Sequence, residues 1–301
     1  MFITVNYMDS PFCKGRTTLN IMKKIIAILF STLLFQQVLA ADDMPDSEYL
    51  KVCADGYMLP YSNKKEEGYE NKIAELLAKK LGLKLKYEFF PQRMGFIRNT
   101  LRAESEVSEG YKCDLVINVP SGFELAATTD PYYKTTYALV YAKGRKLDEI
   151  TDPEMLGKYV TENQLDIKIG LSDRGDPAQL WFFYQNLMGY TTPYQGQPGD
   201  IKVDPGHTLI QDVVSGKIDA AMVWGPTAGY YANLYKDKAE LVLLPIKDNM
   251  KKNRLMKYSY SNSMAVRHGE KAWKEKINNL VKENITEIEK ILTDYGVPLV
   301  K

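Results

Sequence analysis

Strand and helix signals alternate twice along this 301-residue chain, and such an alternation admits few folds. Leu50 to Ala54 reads as a short apolar strand. Ile73, Leu76, Leu77 and Leu81 then recur at helical spacing, with Lys79 and Lys80 near the C-terminus and Gly82 as the stop. Lys84 to Phe90 alternates apolar and polar residues and predicts a strand. Gln92 to Leu101 carries Phe96, Ile97 and Leu101 on one face and predicts a second helix. Cys113 to Val119 is an almost unbroken apolar run, the pattern of a strand covered on both faces. The pattern then restarts. Ile167 to Leu171 predicts a strand, Gln179 to Met188 an aromatic helix, Ile201 to Val203 a short strand, Leu209 to Ser215 a helix and Ala220 to Trp224 a buried strand. A further strand, Tyr258 to Val266, precedes two helices. Trp273, Ile277, Leu280 and Val281 mark the first; Ile285, Ile288, Ile291 and Leu292 mark the second.

Two α/β units and a return segment predict two lobes. Residues 48–142 with 247–301 are expected to form lobe I and residues 143–246 lobe II. Strands near Thr136–Ala142 and Tyr258–Val266 are expected to cross between them as a hinge. The cleft between such lobes is the default ligand site, and hinge closure its default motion.

The N-terminal segment bears on destination. Met22-Lys23-Lys24 is a short basic start, Ile25 to Phe35 a mostly apolar run, and Val38-Leu39-Ala40 fits a cleavage site after Ala40. Residues 22–40 therefore read as a signal peptide and residues 1–21 as an upstream extension from a start assigned too early. A membrane anchor would need roughly 20 apolar residues, so the mature chain is not expected to span a membrane. Cys13 lies in the discarded segment, which leaves Cys53 and Cys113. In an oxidising compartment such a pair reads as one disulfide; the other reading is two buried thiols.

A net charge of +1 gives no reason to expect a nucleic-acid partner. The two histidines, His207 and His268, have no partners at metal spacing, and no phosphate loop, nucleophile elbow or Cys/His cluster is present. No catalytic residue, metal ligand or cofactor is therefore assigned, and an enzyme is not expected. The candidates are cleft residues, because ligands in such sheets sit beyond the carboxyl ends of strands. Asp55, Tyr57 and Tyr61 follow the first strand, Pro120, Ser121 and Phe123 follow the third, and Arg174 and Asp176 lead into the aromatic helix. Arg93, Tyr132 and Trp224 complete the set. The competing reading is that these loops only make turns and that the aromatics only pack.

The strings Val52-Cys53-Ala54-Asp55, Leu59-Pro60-Tyr61-Ser62-Asn63 and Gly68-Tyr69-Glu70-Asn71-Lys72-Ile73-Ala74 resemble the MxaJ/XoxJ proteins of methylotrophic bacteria. So do Gln92-Arg93-Met94-Gly95-Phe96-Ile97-Arg98-Asn99-Thr100-Leu101, Cys113-Asp114, Thr128-Thr129-Asp130-Pro131-Tyr132-Tyr133 and Trp224-Gly225-Pro226. The resemblance runs over the chain from about Tyr49. It implies a periplasmic-binding-protein-like (type II) α/β fold with hinge strands and a central cleft, located in the periplasm. It further implies an accessory role in maturing or activating a PQQ-dependent methanol dehydrogenase, with that enzyme as protein partner and no cofactor of its own. Amino-acid-binding members of the superfamily usually carry an Arg before a segment like Thr129-Asp130-Pro131 and an Asp after one like Gly216-Lys217-Ile218. Here the first stretch is Ser121 to Ala126, without Arg, and Trp224 takes the second place. A buried zwitterion needs paired charges, so an amino-acid cargo is disfavoured and an aromatic cleft could take a partner segment. The alternative is a transport-linked binding protein for a small organic ligand, with Arg93, Arg98 or Arg174 as anchor.

Overall fold

One long strand belongs to two sheets, and the rest of the topology follows from it. The computed structural model describes residues 45, 48–93, 95–107, 109–172, 177–196, 198–251 and 254–301; the expected signal peptide and upstream extension lie outside them. The chain runs through β1 (Tyr49–Ala54), β2 (Tyr57–Met58), β3 (Ser62–Asn63), α1 (Tyr69–Leu81), β4 (Lys84–Phe89), α2 (Phe96–Asn99), β5 (Leu115–Pro120), β6 (Ala127–Thr128) and β7 (Tyr133–Ala142). It continues through α3 (Leu156–Glu162), β8 (Ile169–Ser172), α4 (Pro177–Tyr184), β9 (Thr191–Tyr194), α5 (Pro205–Ser215), β10 (Ala220–Trp224), α6 (Gly225–Leu234) and β11 (Leu241–Pro245). The last elements are β12 (Asn249–Lys251), β13 (Arg254–Met256), β14 (Ser259–Val266), α7 (Lys271–Glu283) and α8 (Ile285–Asp294).

The strand order is β4-β1-β5-β14-β7-β10-β8-β9, with β11 also on β7. Residues Tyr133 to Thr136 of β7 pair antiparallel with β14. From Tyr137 onward β7 pairs with β10, and from Ala138 with β11. Thus β7 and β14 carry the chain between a lobe I sheet and a lobe II sheet, in a two-lobed periplasmic-binding-protein-like fold.

The alternation of β7 builds both cores of lobe II, because successive side chains of a strand point to opposite faces. Leu139 and Tyr141 join Trp181, Phe182 and Met222 on one face. Ala138 and Val140 join Ile210, Val213 and Val223 on the other. In lobe I the inward stripe of α1 (Tyr69, Ile73, Leu77) packs on Leu50, Val52 and Ile117. The C-terminal helices complete that same core with Trp273, Ile277, Ile288 and Leu292.

A buried cation fastens the C-terminal part to lobe I. Arg267 donates through Nη2 to Asp114 at 2.7 Å, through Nε to Glu270 at 2.7 Å and through Nη1 to the Leu101 carbonyl at 3.0 Å. Trp273 Nε1 donates to the Asp114 carbonyl at 3.0 Å. Paired and hydrogen-bonded in this way, a guanidinium can be buried; with a partner removed it would be an uncompensated charge. The final residues return to β7. Val300 N donates to the Lys134 carbonyl at 2.9 Å, and Thr135 Oγ1 donates to the Pro298 carbonyl at 2.7 Å. Here α6 comes so close that a Cβ on Gly229 would lie 1.8 Å from the Gly296 carbonyl oxygen.

Two expected elements differ. The helix expected over Gln92 to Leu101 is the single turn α2, because Gly95 enters it in the left-handed region at φ 72° and Thr100 leaves it at φ −124°. The strand expected at Ile201 to Val203 is a turn before α5; the sheet takes its edge strand from β9 instead, parallel to β8. Pro193 interrupts the apolar pattern of β9, and a proline is tolerated there because the strand sits at the sheet edge. The sequence reading also left out α6 and β11.

Cys53 and Cys113 form a disulfide across a sequence separation of 60. It joins β1 to the residues that lead into β5. Chain-entropy reasoning gives about 3–4.5 kcal/mol for closing a loop of this length. The Cys53→Ser/Cys113→Ser variant should lose about that much in urea unfolding followed by circular dichroism, with the slope checked for a changed denatured state. Wild-type stability in the double variant would show that the link adds nothing.

Candidate functional site

The loop that leaves β1 is shaped by Asp55 and Ser62. Both carboxylate oxygens of Asp55 are occupied by the chain itself: Oδ1 accepts from Tyr57 N at 2.9 Å and Oδ2 from Gln92 N at 2.8 Å. Ser62 Oγ accepts from Asp55 N at 3.1 Å and donates to the Asp55 carbonyl at 2.8 Å. Asp55 is thus a buried brace between two loops. The Tyr57 and Tyr61 side chains that it positions reach lobe II. Tyr57 is 41% exposed, and Lys202 Nζ stands 5.5 Å from its ring centroid. The Tyr61 hydroxyl lies beside Thr227 of α6, and burial holds it well above the ordinary phenol range.

Arg93 makes a polar link between the lobes. Its Nη2 donates to the Val203 carbonyl at 2.8 Å and its Nη1 to the Pro198 carbonyl at 3.1 Å. Immediately beyond, Asp204 caps α5 by accepting from Gly206 N at 2.9 Å. Burial raises the Asp204 carboxyl, while its hydrogen bonds and the nearby Arg93 charge pull it back. His207, which has no partner at metal spacing in the sequence, stacks on Tyr231 at 3.9 Å between ring centroids. Its Nε2 shares a 2.7 Å hydrogen bond with Tyr235 Oη, and burial lowers its pKa. A crevice of about 430 Å³ lies among these groups, lined by Tyr57, Leu59, Lys64 and Lys65 from lobe I and by Lys202, His207 and Tyr231 from lobe II.

The remaining candidates divide. Trp224 stands edge-on to Tyr137 (5.0 Å) and Tyr260 (5.8 Å), against the two hinge strands. Ser121 joins β14, with its N donating to the Ser261 carbonyl at 2.9 Å and its Oγ 2.7 Å from Ser263 Oγ. Pro120 and Phe123 line a separate apolar cavity of about 280 Å³ within lobe I, together with Phe96, Ile97 and Leu125. Tyr132 is withdrawn into the lobe I core, where its hydroxyl donates to the Ile117 carbonyl at 3.0 Å. Arg174 and Asp176 lie outside the described residues. The structure therefore gathers Tyr57, Tyr61 and Arg93 at the interlobe face, places Trp224 beside the hinge and sets Tyr132 apart. Among the described residues, no group of three His, Cys, Asp or Glu side chains could hold a metal ion.

One buried acid escaped the sequence reading. Glu70, in the first turn of α1, is 3% exposed, and its Oε1 has no hydrogen-bond partner. Burial pushes its carboxyl up to about 8; the Asn118 side chain works against the shift and Asp55 adds to it. Asn118 Oδ1 accepts from Tyr133 Oη at 3.2 Å, and the Tyr69 and Tyr133 hydroxyls are 3.1 Å apart. Lobe I thus places a polar cluster under the loop that carries Tyr57 and Tyr61.

No protein-family model matches the chain. The chain is 25% identical over 271 residues to the Protein MoxJ of Paracoccus denitrificans, which covers 87% of this chain and 92% of that protein. The crystal structure of the periplasmic binding protein XoxJ from Methylobacterium extorquens AM1 matches with a TM-score of 0.63 and 29% identity, over 84% of this chain and 99% of that one. The crystal structure of MxaJ from Methlophaga aminisulfidivorans MPT matches with a TM-score of 0.65 and 25% identity, over 83% of this chain and 100% of that one. Among the described residues, no helix is long and apolar enough to cross a membrane.

The Glu70 shift fixes the sign of a pH dependence. A carboxyl raised from 4.5 to about 8 on folding contributes its full stability below the unfolded value and loses it as pH climbs through the folded one. Glu70→Gln should therefore gain on wild type between about pH 5 and about pH 8, by on the order of 4 kcal/mol, and level off above. Urea unfolding of both proteins across that window measures the gain; a pH-independent difference would mean that Glu70 folds as an ordinary carboxylate.

Proposed function

From its similarity to MoxJ, XoxJ and MxaJ over most of its length, we propose that the chain is a periplasmic accessory protein of a PQQ-dependent methanol dehydrogenase system, matured by loss of residues 22–40. It binds the dehydrogenase, or a segment of it, during maturation or activation, without turnover. The observation that carries a macromolecular partner is an apolar outer face on lobe II. Helix α4 is apolar apart from Gln179 and the Tyr184 hydroxyl: it buries Trp181 and Phe182 and leaves Leu180 and Phe183 exposed at 45% and 58%. The hairpin β12–β13 presents the cross-strand pair Met250 and Leu255, exposed at 64% and 65%. Glu154 ties the two together, accepting from Trp181 Nε1, Gln185 Nε2 and Asn249 Nδ2 at 3.2, 2.8 and 3.3 Å. Large exposed apolar side chains on elements linked in this way favour protein association.

Two charged residues expected from sequence to line the cleft also favour this function. Asp55 and Arg93 spend their hydrogen bonds on the protein's own backbone, so neither stands ready for a zwitterion.

The mature protein mixed with its native methanol dehydrogenase should elute as a complex in size-exclusion chromatography with light scattering, more readily with the apo enzyme than with the PQQ-loaded one. Phe183→Asp combined with Leu255→Glu should weaken that complex by about tenfold or more with the melting temperature retained. No complex at low or moderate salt would sink the accessory role; an unimpaired double variant would sink the assigned face.

A further inference from the structure

The crevice between the lobes is built with more positive charge than the protein itself answers. Lys64 and Lys65 come from the lobe I loop and Lys202 from lobe II, and all three line the same space. Lys64 Nζ lies 5.3 Å and Lys202 Nζ 5.5 Å from the centroid of the single ring of Tyr57. Among the described residues none of the three has a carboxylate within ion-pair distance, whereas Lys72, Lys80, Lys84 and Lys143 each have one. Two acids also line the crevice, and both are engaged. Asp204 caps α5 and sits beside the Tyr231 hydroxyl. Glu67 Oε2 accepts from Asn63 Nδ2 at 2.8 Å. Arg93 adds a fourth cation close by; among the described residues its side-chain hydrogen bonds go to the Pro198 and Val203 carbonyls. Bringing Lys64 and Lys202 together from opposite lobes sets like charges against each other, which opposes closure unless an anion stands between them.

We propose that this crevice binds a small multivalent anion, held by Lys64, Lys65 and Lys202 with its apolar part against Tyr57, Leu59 and Tyr231. Its volume of about 430 Å³ falls within the roughly 300–1,000 Å³ of ordinary small-molecule sites. Lysines act on anions as point charges and provide no planar fork, so the shared chemistry is two or more negative charges on a small body, carboxylate or phosphate. Because the ligand touches both lobes, binding favours the arrangement in which Lys202 faces Tyr57. The proposal is independent of the accessory function and holds or fails without the dehydrogenase.

The test is isothermal titration of the mature protein with citrate, benzene-1,3,5-tricarboxylate and pyrophosphate, with acetate and glucose at matched ionic strength as controls. At least one multivalent anion should bind saturably, raise the melting temperature in proportion to occupancy and weaken as salt is added. Selective binding of the carboxylates or of pyrophosphate identifies the headgroup. Lys64→Gln/Lys202→Gln should raise Kd about tenfold or more, and the single Lys202→Gln variant should show part of that loss. Lys276→Gln/Lys282→Gln, on α7, should bind as wild type does. Binding by none of the three anions up to about 10 mM, or equal loss in the α7 variant, would overturn the proposal.

Discussion

Four residue pairs, from Ser259↔Thr136 to Asn262↔Tyr133, hold the two sheets in one molecule. They sit at the point where β7 stops serving lobe I and begins serving lobe II. Backbone groups buried there must be paired, and the surrounding side chains seal the junction. Thr136 Oγ1 donates to the Ile246 carbonyl at 2.6 Å, so the return from β11 is fastened to the same residue. Trp224, at the end of β10, lies edge-on to Tyr137 and Tyr260, one ring from each crossing strand. The interlobe face is thereby set by backbone pairing, and the loops bearing Tyr57, Tyr61 and Arg93 need only reach across it.

Two buried acids of lobe I show how differently the same fold treats charge. Asp114 pairs with Arg267 at 2.7 Å and with Lys51 at 3.5 Å. Glu70 makes no ion pair among the described residues and lies near the Tyr69 and Tyr133 hydroxyls and the Asn118 side chain, so desolvation favours the protonated form. The first acid locks the C-terminal segment onto the sheet. The second keeps a proton under the loop that faces lobe II.

Much of this was legible because periodicity survives burial. The apolar strands β1, β5 and β10 and the stripe of α1 gave the two-unit order, and the cysteine pair gave the link between β1 and β5. The failures have local causes. Gly95 cut a helical pattern to one turn, and Pro193 disguised an edge strand. Asp55 was read as a ligand group because it follows a strand; whether its oxygens face a cleft or the backbone depends on Gln92, 37 residues away. Glu70 left a signal that went unused: it shares the inward stripe of α1 with Ile73, Ala74 and Leu77, at helical spacings of three, four and seven. The meeting of Lys202 with Tyr57 left none, since only the closed topology brings those segments together.

The completion of lobe I by the last residues of the chain has a consequence for synthesis. Every strand of the lobe II sheet comes from residues 133–245, so its pairings exist once that stretch has emerged. The lobe I core instead waits for Trp273, Ile288, Leu292 and Val297, and Arg267 cannot meet Asp114 until β14 has been made. In any process that delivers the chain N-terminus first, the lobe that begins earlier finishes later. Until then its opening strands, with β1 among them, are unfinished surface of the kind that aggregates or calls for a chaperone.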